Sequence, residues 1–430
     1  MVNNNNEGLS RRGFLGGVAA FGALAGGGTR LFAADAEKPL LRFGVVSDVH
    51  VRLAPGGGSL HPDYDTETLE KAFTFFRDNG ADAVMIAGDM ADCGVVGELK
   101  GTRAASDHMV LLRSDMDALE ILEQTGLDFP SENPGVMHAC GHDTHMTNLL
   151  GAVKFLHAHP EEFAGTVRFV FQPAEEIGAG ARLMIQQGVM EGVDRAVGMH
   201  ITPILPLGQV SAMPGECWAA CDRIKITVHG KAAHGAMPQN GHDALVAASA
   251  IVMALQPLVS RETDPNTALV LTVGSIVSGS RFNIVAGDAV MMGTCRTFSR
   301  EVHAALPEKL RRVAEHVAEA YGCTAELEFE VLAEVLYCDP ETTALGLKSV
   351  AKVVGEENAV VCGPQMIAED FCYYTEHAKC VFFNLGARVE DDSKVFPLHS
   401  DHVLFDERAM EIGASVLVQT AVDLLDALNA

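Results

Sequence analysis

A thiol and an imidazole two residues apart, in Met137-His138-Ala139-Cys140-Gly141-His142-Asp143, form a compact half of a metal site. The other half lies downstream. Gln172-Pro173-Ala174-Glu175-Glu176 supplies adjacent carboxylates, Gly198-Met199-His200 a second imidazole and Pro397-Leu398-His399-Ser400 a third. Together these donors read as a two-metal hydrolase. They are spread over more than half of the chain, so a folded scaffold must gather them.

The chain can supply that scaffold. Its 430 residues suit two or three domains, and 48% apolar content is ample for burial. A formal charge of −26 repels phosphate backbones and anionic membrane surfaces, which argues against nucleic-acid and peripheral membrane binding, and it suits divalent cations. The ten cysteines are scattered with no C-x-x-C pair, so neither a zinc ribbon nor a disulfide framework is indicated.

Residues 1–36 read as a targeting segment. Ser10-Arg11-Arg12-Gly13-Phe14-Leu15 resembles a twin-arginine signal, followed by a Gly- and Ala-rich stretch too short to span a membrane and by small residues at Ala33-Ala34-Asp35-Ala36, where cleavage is expected. That resemblance implies export of the folded protein to the periplasm, with no membrane span in the mature chain. Residues 37–100 pattern as strand, helix, strand. The first strand (40–46) ends in Ser47-Asp48-Val49-His50 and the second (82–87) in Gly88-Asp89-Met90-Ala91-Asp92. This unit resembles the start of a calcineurin-like metallophosphoesterase, whose later G-N-H-[DE] and histidine motifs do not follow. Asp48, His50, Asp89 and Asp92 therefore read as remnants.

From about Val110 onward the chain resembles the co-catalytic metalloaminoacylases and amidohydrolases that include hippurate hydrolases and auxin-conjugate hydrolases. The match runs through Leu112-Arg113-Ser114-Asp115-Met116-Asp117-Ala118-Leu119, Cys140-Gly141-His142-Asp143, Gln172 to Glu176 and Gly198-Met199-His200. It continues through Ala233-His234-Gly235-Ala236, Ala368-Glu369-Asp370-Phe371 and Leu398-His399-Ser400. The resemblance implies that Cys140, His142, Glu176, His200 and His399 hold two divalent metal ions. Thiolate, imidazole and carboxylate together suit zinc, manganese, cobalt or nickel, and sulfur can bridge two ions. It makes Glu175 the general base toward metal-bound water and the acid toward the leaving amine. Asp117 would orient a metal-binding imidazole, with Asp115 two residues earlier facing the same side of a strand. His234 would stabilise the oxyanion, often across a dimer interface, and Asn283 and Arg296 would bind the substrate carboxylate. The family's usual Asn-x-Ile-Pro is here Asn283-Ile284-Val285-Ala286.

Periodicity between 217 and 337 gives strand (222–228), helix (242–259), strand (268–277), strand (288–298), helix (300–321) and strand (324–332). This β-α-β-β-α-β order is the ferredoxin-like split βαβ. It coincides with the lid or dimerisation domain of the resembled family. The fold expected is therefore α/β. A mixed-sheet, zinc-peptidase-like catalytic domain (101–216 and 338–430) carries an inserted ferredoxin-like α+β lid (217–337), and the chain pairs as a homodimer through that lid. The family's leading helices and strand are missing, replaced by the phosphoesterase-like fragment and a stretch, 94–107, without clear periodicity. Such a chimera predicts an imperfect interface with exposed apolar surface or strain. The function expected is cleavage of the amide bond of N-acyl or N-aroyl amino acids. The alternatives are an impaired fusion with a vestigial site and a metallophosphoesterase. If the fusion is an artefact, the hydrolase half belongs in the cytoplasm.

Overall fold

The computed structural model describes residues 43–47, 83–87 and 94–430. In chain order the elements begin β1 (Phe43–Ser47), β2 (Ala83–Ala87), β3 (Val95–Lys100), β4 (Met109–Asp115), α1 (His142–Ala158), β5 (Thr166–Gln172), α2 (Gly180–Gln186), β6 (Arg195–Thr202) and β7 (Val210–Ala212). Then come β8 (Gly215–Trp218), β9 (Ala220–His229), β10 (Ala233–His234), α3 (Ala244–Ser260), β11 (Leu269–Ser278), β12 (Ile284–Val285), β13 (Asp288–Thr297), α4 (Arg300–Ala320) and β14 (Thr324–Ala333). The chain closes with β15 (Leu336–Cys338), α5 (Pro340–Val354), β16 (Ala359–Val361), β17 (Lys379–Gly386) and α6 (Arg408–Asn429). Strands β1 and β2 pair in parallel as a two-stranded sheet, matching the two strands expected ahead of residue 100. The signal segment, the helix between those strands and Asp48, His50, Asp89 and Asp92 lie outside the described residues.

From β3 onward the chain forms two compact units. One runs through Pro214 and resumes at Cys338–Cys362 and Tyr374–Ala430; the other comprises Gly215–Tyr337 and Gly363–Tyr373. The first unit is built on a seven-stranded sheet of order β16-β7-β17-β6-β4-β5-β3. Its centre, β17-β6-β4-β5, is parallel, while β3 and β7 run antiparallel to their inner neighbours β5 and β17. Val110, Leu111 and Leu112 of β4 are fully buried, the continuous apolar run of a strand covered on both faces. Leu149, Val153 and Leu156 of α1 share a core with Leu417, Ala421 and Leu424 of α6. Each of these leucine and valine side chains contributes about 1.5–3 kcal/mol through burial, and that packing holds the start of α1 against the sheet.

Strand β3 was not expected. Residues 94–107 show no periodicity, yet Val95–Lys100 adds an edge strand to β5 in register Val95↔Phe171 to Lys100↔Thr166. The first unit's sheet therefore takes chain from Val95, ahead of the expected boundary at residue 101. The Phe169 ring lies over Gly97, where a Cβ would come within 2.1 Å of its Cζ, so glycine is what lets this strand dock. Glu98 pairs across the ladder with Arg168.

The second unit has a four-stranded antiparallel sheet of order β11-β13-β9-β14 with α3 and α4 packed on it. Alternation does the work: Ile224, Ile226 and Val228 of β9 face Ala247, Ile251, Leu255 and Leu310, while Arg223 and Lys225 pair with Glu330 and Glu328. Asp243 and Ser299 cap the two helices by accepting backbone N–H bonds from Leu245 (3.0 Å) and Val302 (3.2 Å). Residues 363–373 join this unit through Gln365 N–H to Cys217 O (2.9 Å) and Ala219 N–H to Ile367 O (3.0 Å). They carry no hydrophobic period that would have announced it.

Candidate active site

The parallel strands deliver the polar residues at their C-terminal ends, where an open α/β sheet leaves room for a ligand. Asp115 closes β4, Gln172 closes β5 opposite it, and His200 lies near the end of β6. Cys140 and His142 flank Gly141, which caps α1 in the left-handed conformation (φ 86°). A Cβ there would sit 2.5 Å from Ile201 Cγ2, so only glycine lets the helix start this close to β6. Among the described residues, only Ala174 (φ 56°) and His399 (φ 64°) are non-glycine residues at positive φ. One adjoins Glu175 and the other is itself a predicted ligand, the kind of place where backbone strain is tolerated for function.

Cys140 is the hub. Its Sγ lies 3.4 Å from His200 Nε2 and 3.2 Å from His399 Nε2. Two donor groups share it, Cys140-His142-His200 and Cys140-Glu176-His399, each with ligand atoms within 4.8 Å of one another. His142 is fully buried, and its Nδ1 lies 3.2 Å from Asp117 Oδ1. Its Nε2 makes no hydrogen bond, although oxygens of Asp115, Glu175 and Glu176 surround it at 3.8–3.9 Å. An imidazole nitrogen without a hydrogen bond among carboxylates and a thiol is a donor a cation can take, and the soft thiolate with neutral imidazoles suits a transition metal. The residues present therefore fit a metal ion. Asp117 also accepts the Glu176 N–H (3.0 Å), so one carboxylate orients a predicted ligand imidazole and anchors the Glu175-Glu176 turn.

The electrostatics of these donors follow from that crowding. Burial opposes charge on His142, but Asp115 and Asp117 outweigh it and raise its pKa well above the usual imidazole value. Burial would raise Asp115, yet His142, His145 and Arg113 hold it well below the carboxylate range. Burial, with His145 beside it, drives His200 well below 6.5, which keeps it neutral and able to donate a lone pair. Burial raises the Cys140 thiol, whereas hydrogen bonds to Cys140 and Glu176 lift His399 to about 10. Protons and cations thus compete for the same atoms.

Seven residues singled out in the sequence converge here: Cys140, His142, Glu175, Glu176, His200, His399 and Asp117. The second unit holds the other three. His234 pairs with Ile284 in the short ribbon of β10 and β12, and Gly235 N–H donates to Asn283 O at 2.8 Å, so His234 and Asn283 are neighbours. Ala236 N–H donates to His234 Nδ1 (3.1 Å), which leaves the ring proton on Nε2. Arg296 lies on β13, outside that ribbon, with its guanidinium donating to Met366 O at 3.4 Å. Sequence reading passed over His145, Arg113 and Gln172, all buried beside the donors. The i, i+3 spacing of His142 and His145 on one helix was the available signal.

The sequence matches the model of peptidase family M20/M25/M40 over residues 111–423. The chain belongs to this family. An N-acetyl-L-cysteine deacetylase of Bacillus subtilis (strain 168) is 36% identical over 333 residues, 77% of this chain and 78% of that protein. An IAA-amino acid hydrolase (ILR1-like 4) of Arabidopsis thaliana is 38% identical over 346 residues, 79% of this chain and 78% of that protein. Among solved structures, a Bacillus subtilis protein described as a dinuclear metal binding peptidase from the M20 family has a TM-score of 0.68 and 31% identity. It covers 84% of this chain and 93% of its own. The M20 chain described here is accordingly a metallopeptidase-like amidohydrolase of mixed α/β fold. No helix among its described residues is long and apolar enough to cross a membrane.

Proposed function

We propose that this M20 hydrolase cleaves the amide bond of N-acyl or N-aroyl amino acids at a two-metal site held by Cys140, His142, Glu176, His200 and His399. The observation that carries the reading is Cys140 Sγ set between His200 and His399 at 3.4 and 3.2 Å, with His142 Nε2 bare beside it. Divalent ions held there would polarise an amide carbonyl and acidify water. Glu175, its side chain only 11% exposed and 3.9 Å from His142 Nε2, takes the proton of the attacking water. It then delivers a proton to the leaving amine nitrogen. Asp117 keeps His142 in the tautomer whose Nε2 lone pair faces the site.

The second unit is proposed as a ferredoxin-like lid. Its His234, protonated on Nε2, is a donor able to hold the developing oxyanion, and Asn283 and Arg296 would hold the substrate carboxylate. The same unit exposes Val270, Ile276 and Val277 on the edge strand β11 and Leu245, Val246 and Met253 on α3, which supports a homodimer through the lid. Sedimentation of the purified chain, with Val277→Asp as control, tests it: a wild-type monomer would end that part of the proposal. Export rests on the Arg11-Arg12 segment and is tested by periplasmic fractionation.

The activity is tested by loading the purified chain with zinc or manganese and assaying an N-acyl amino acid panel and a phosphodiester, alongside Glu175→Gln. Amide cleavage that disappears in Glu175→Gln is the expected result. Metal bound without turnover would point instead to an impaired fusion, and phosphodiester cleavage indifferent to Glu175 would overturn the reading.

A further inference from the structure

His145 is engaged at both ring nitrogens, as His142 beside it on α1 is not. It lies one turn after His142 on α1, and its Nδ1 is 2.6 Å from Asp115 Oδ1. Its Nε2 is 2.7 Å from the backbone nitrogen of Ile201. A peptide N–H can only donate, so Nε2 must be the acceptor and the ring proton must sit on Nδ1, donated to Asp115. Both nitrogens are spent. Although Asp115, His142 and His145 place ligand atoms within 4.8 Å of one another, His145 has no lone pair left for an ion.

The bonds continue in both directions. Asp115 Oδ2 accepts from Arg113 Nη1 (2.7 Å), and Arg113 Nε donates to Gln172 Oε1 (3.0 Å), tying the ends of β4 and β5. On the far side, Ile201 follows His200, and His200 Nδ1 donates to Ile201 O at 2.6 Å. The peptide groups of Ile201 are therefore held at both ends. Its N–H is fixed by His145 and its C=O by His200, whose Nε2 is thereby aimed at Cys140. The His145 and His200 rings also meet edge-on at 4.7 Å between centroids.

We propose that Arg113, Asp115 and His145 form a positioning relay that clamps the Ile201 peptide and so sets the aim of His200 toward the metal site. In this proposal none of the three is a ligand, and all act through His200. The inference rests on the metal-site reading above, and its test separates the two.

The relay's geometric half predicts which replacement rescues. A glutamine at 145 can place its Oε1 near the old Nε2 and accept from Ile201; an asparagine can only imitate Nδ1 and keep Asp115. Cobalt(II) titration of the full chain, followed by visible and thiolate charge-transfer absorption, reads affinity and ligand geometry without any assay of turnover. His145→Ala and His145→Asn are expected to lose roughly 10–100-fold in affinity for one ion and to change the visible band, with His145→Gln recovering most of both. Unchanged affinity and spectrum in His145→Ala would overturn the relay while leaving the metal site standing. A wild-type chain that binds no cobalt, or binds it without a thiolate band, would instead overturn the metal reading. Nitrogen-15 spectra of the wild-type imidazoles supply a check that needs no variant to fold. A proton on Nδ1 of His145, with Nε2 unmetallated, is expected, and a proton on Nε2 or a metal bond there would refute the relay.

Discussion

Two buried histidines, one in each unit, show what separates a structural imidazole from one waiting for a ligand. His303 in the second unit has both nitrogens occupied, Nε2 by Asp222 at 2.7 Å and Nδ1 by Glu334 at 3.1 Å. His142 in the first unit has Asp117 on Nδ1 but nothing bonded to Nε2, despite carboxylate oxygens at 3.8–3.9 Å. Both are raised in pKa against the pull of burial, His303 by Asp222 and Glu334 to about 9, His142 by Asp115 and Asp117. Proton affinity therefore does not distinguish them, and hydrogen-bond saturation does. His145 falls on the saturated side even though it stands beside the donors.

The largest test of that contrast is chemical. Glu175→Gln is expected to lower amide turnover about 10²–10⁴-fold while the metal content of the chain stays the same, because proton transfer is lost and no proposed ligand is touched. Metal content falling with activity would make Glu175 a ligand and break the assignment. Next, Asp117→Asn should weaken metal binding on the order of 10–100-fold by releasing the His142 tautomer, as read by competition with a chromogenic chelator. Equal affinity would mean His142 needs no orienting partner.

His303→Ala should leave metal affinity alone and cost about 1–3 kcal/mol of unfolding free energy, since Asp222 is left buried without its partner. A pH series sharpens this. Because the folded His303 pKa is raised to about 9, its contribution is complete below the unfolded value near 6.5 and is lost as pH rises through about 9. Wild-type stability from denaturant melts should decline over that window, and His303→Ala should flatten the decline. The smallest effect is local: Gly97→Ala should destabilise the edge strand β3 through contact with Phe169, detected as faster amide exchange there than in β4.

Much of this was legible in the chain, for different physical reasons in the two units. The four strands of the second unit's main sheet and its two helices lie close to the residues their alternation and 3.6-residue period indicate, because burial alternates along them, whereas the short strands β8, β10 and β12 carry too few residues for a period to show. The candidate donors were legible by type and spacing, and the structure gathers Cys140, His142, Glu176, His200 and His399 in one place. What escaped was whatever depends on partners distant in sequence. Strand β3 hides because Val95, Gly97 and Leu99 alternate with Val96, Glu98 and Lys100 too weakly, and the edge position is set by β5. The saturation of His145 hides because its acceptor role is defined by a peptide 56 residues away. Residues 363–373 join the second unit through backbone bonds such as Gln365 N–H to Cys217 O and through Arg296 and Tyr373 side chains that bond Met366 O and Leu332 O, pairings that a hydrophobic period does not record.

The proposal stands or falls on whether Cys140 would help hold two divalent ions, which X-ray absorption at the metal edge, with metal counted per chain, can decide. The account predicts two ions per chain and a sulfur neighbour at about 2.3 Å that vanishes in Cys140→Ser. A fully loaded, folded protein whose metals see only nitrogen and oxygen would contradict it.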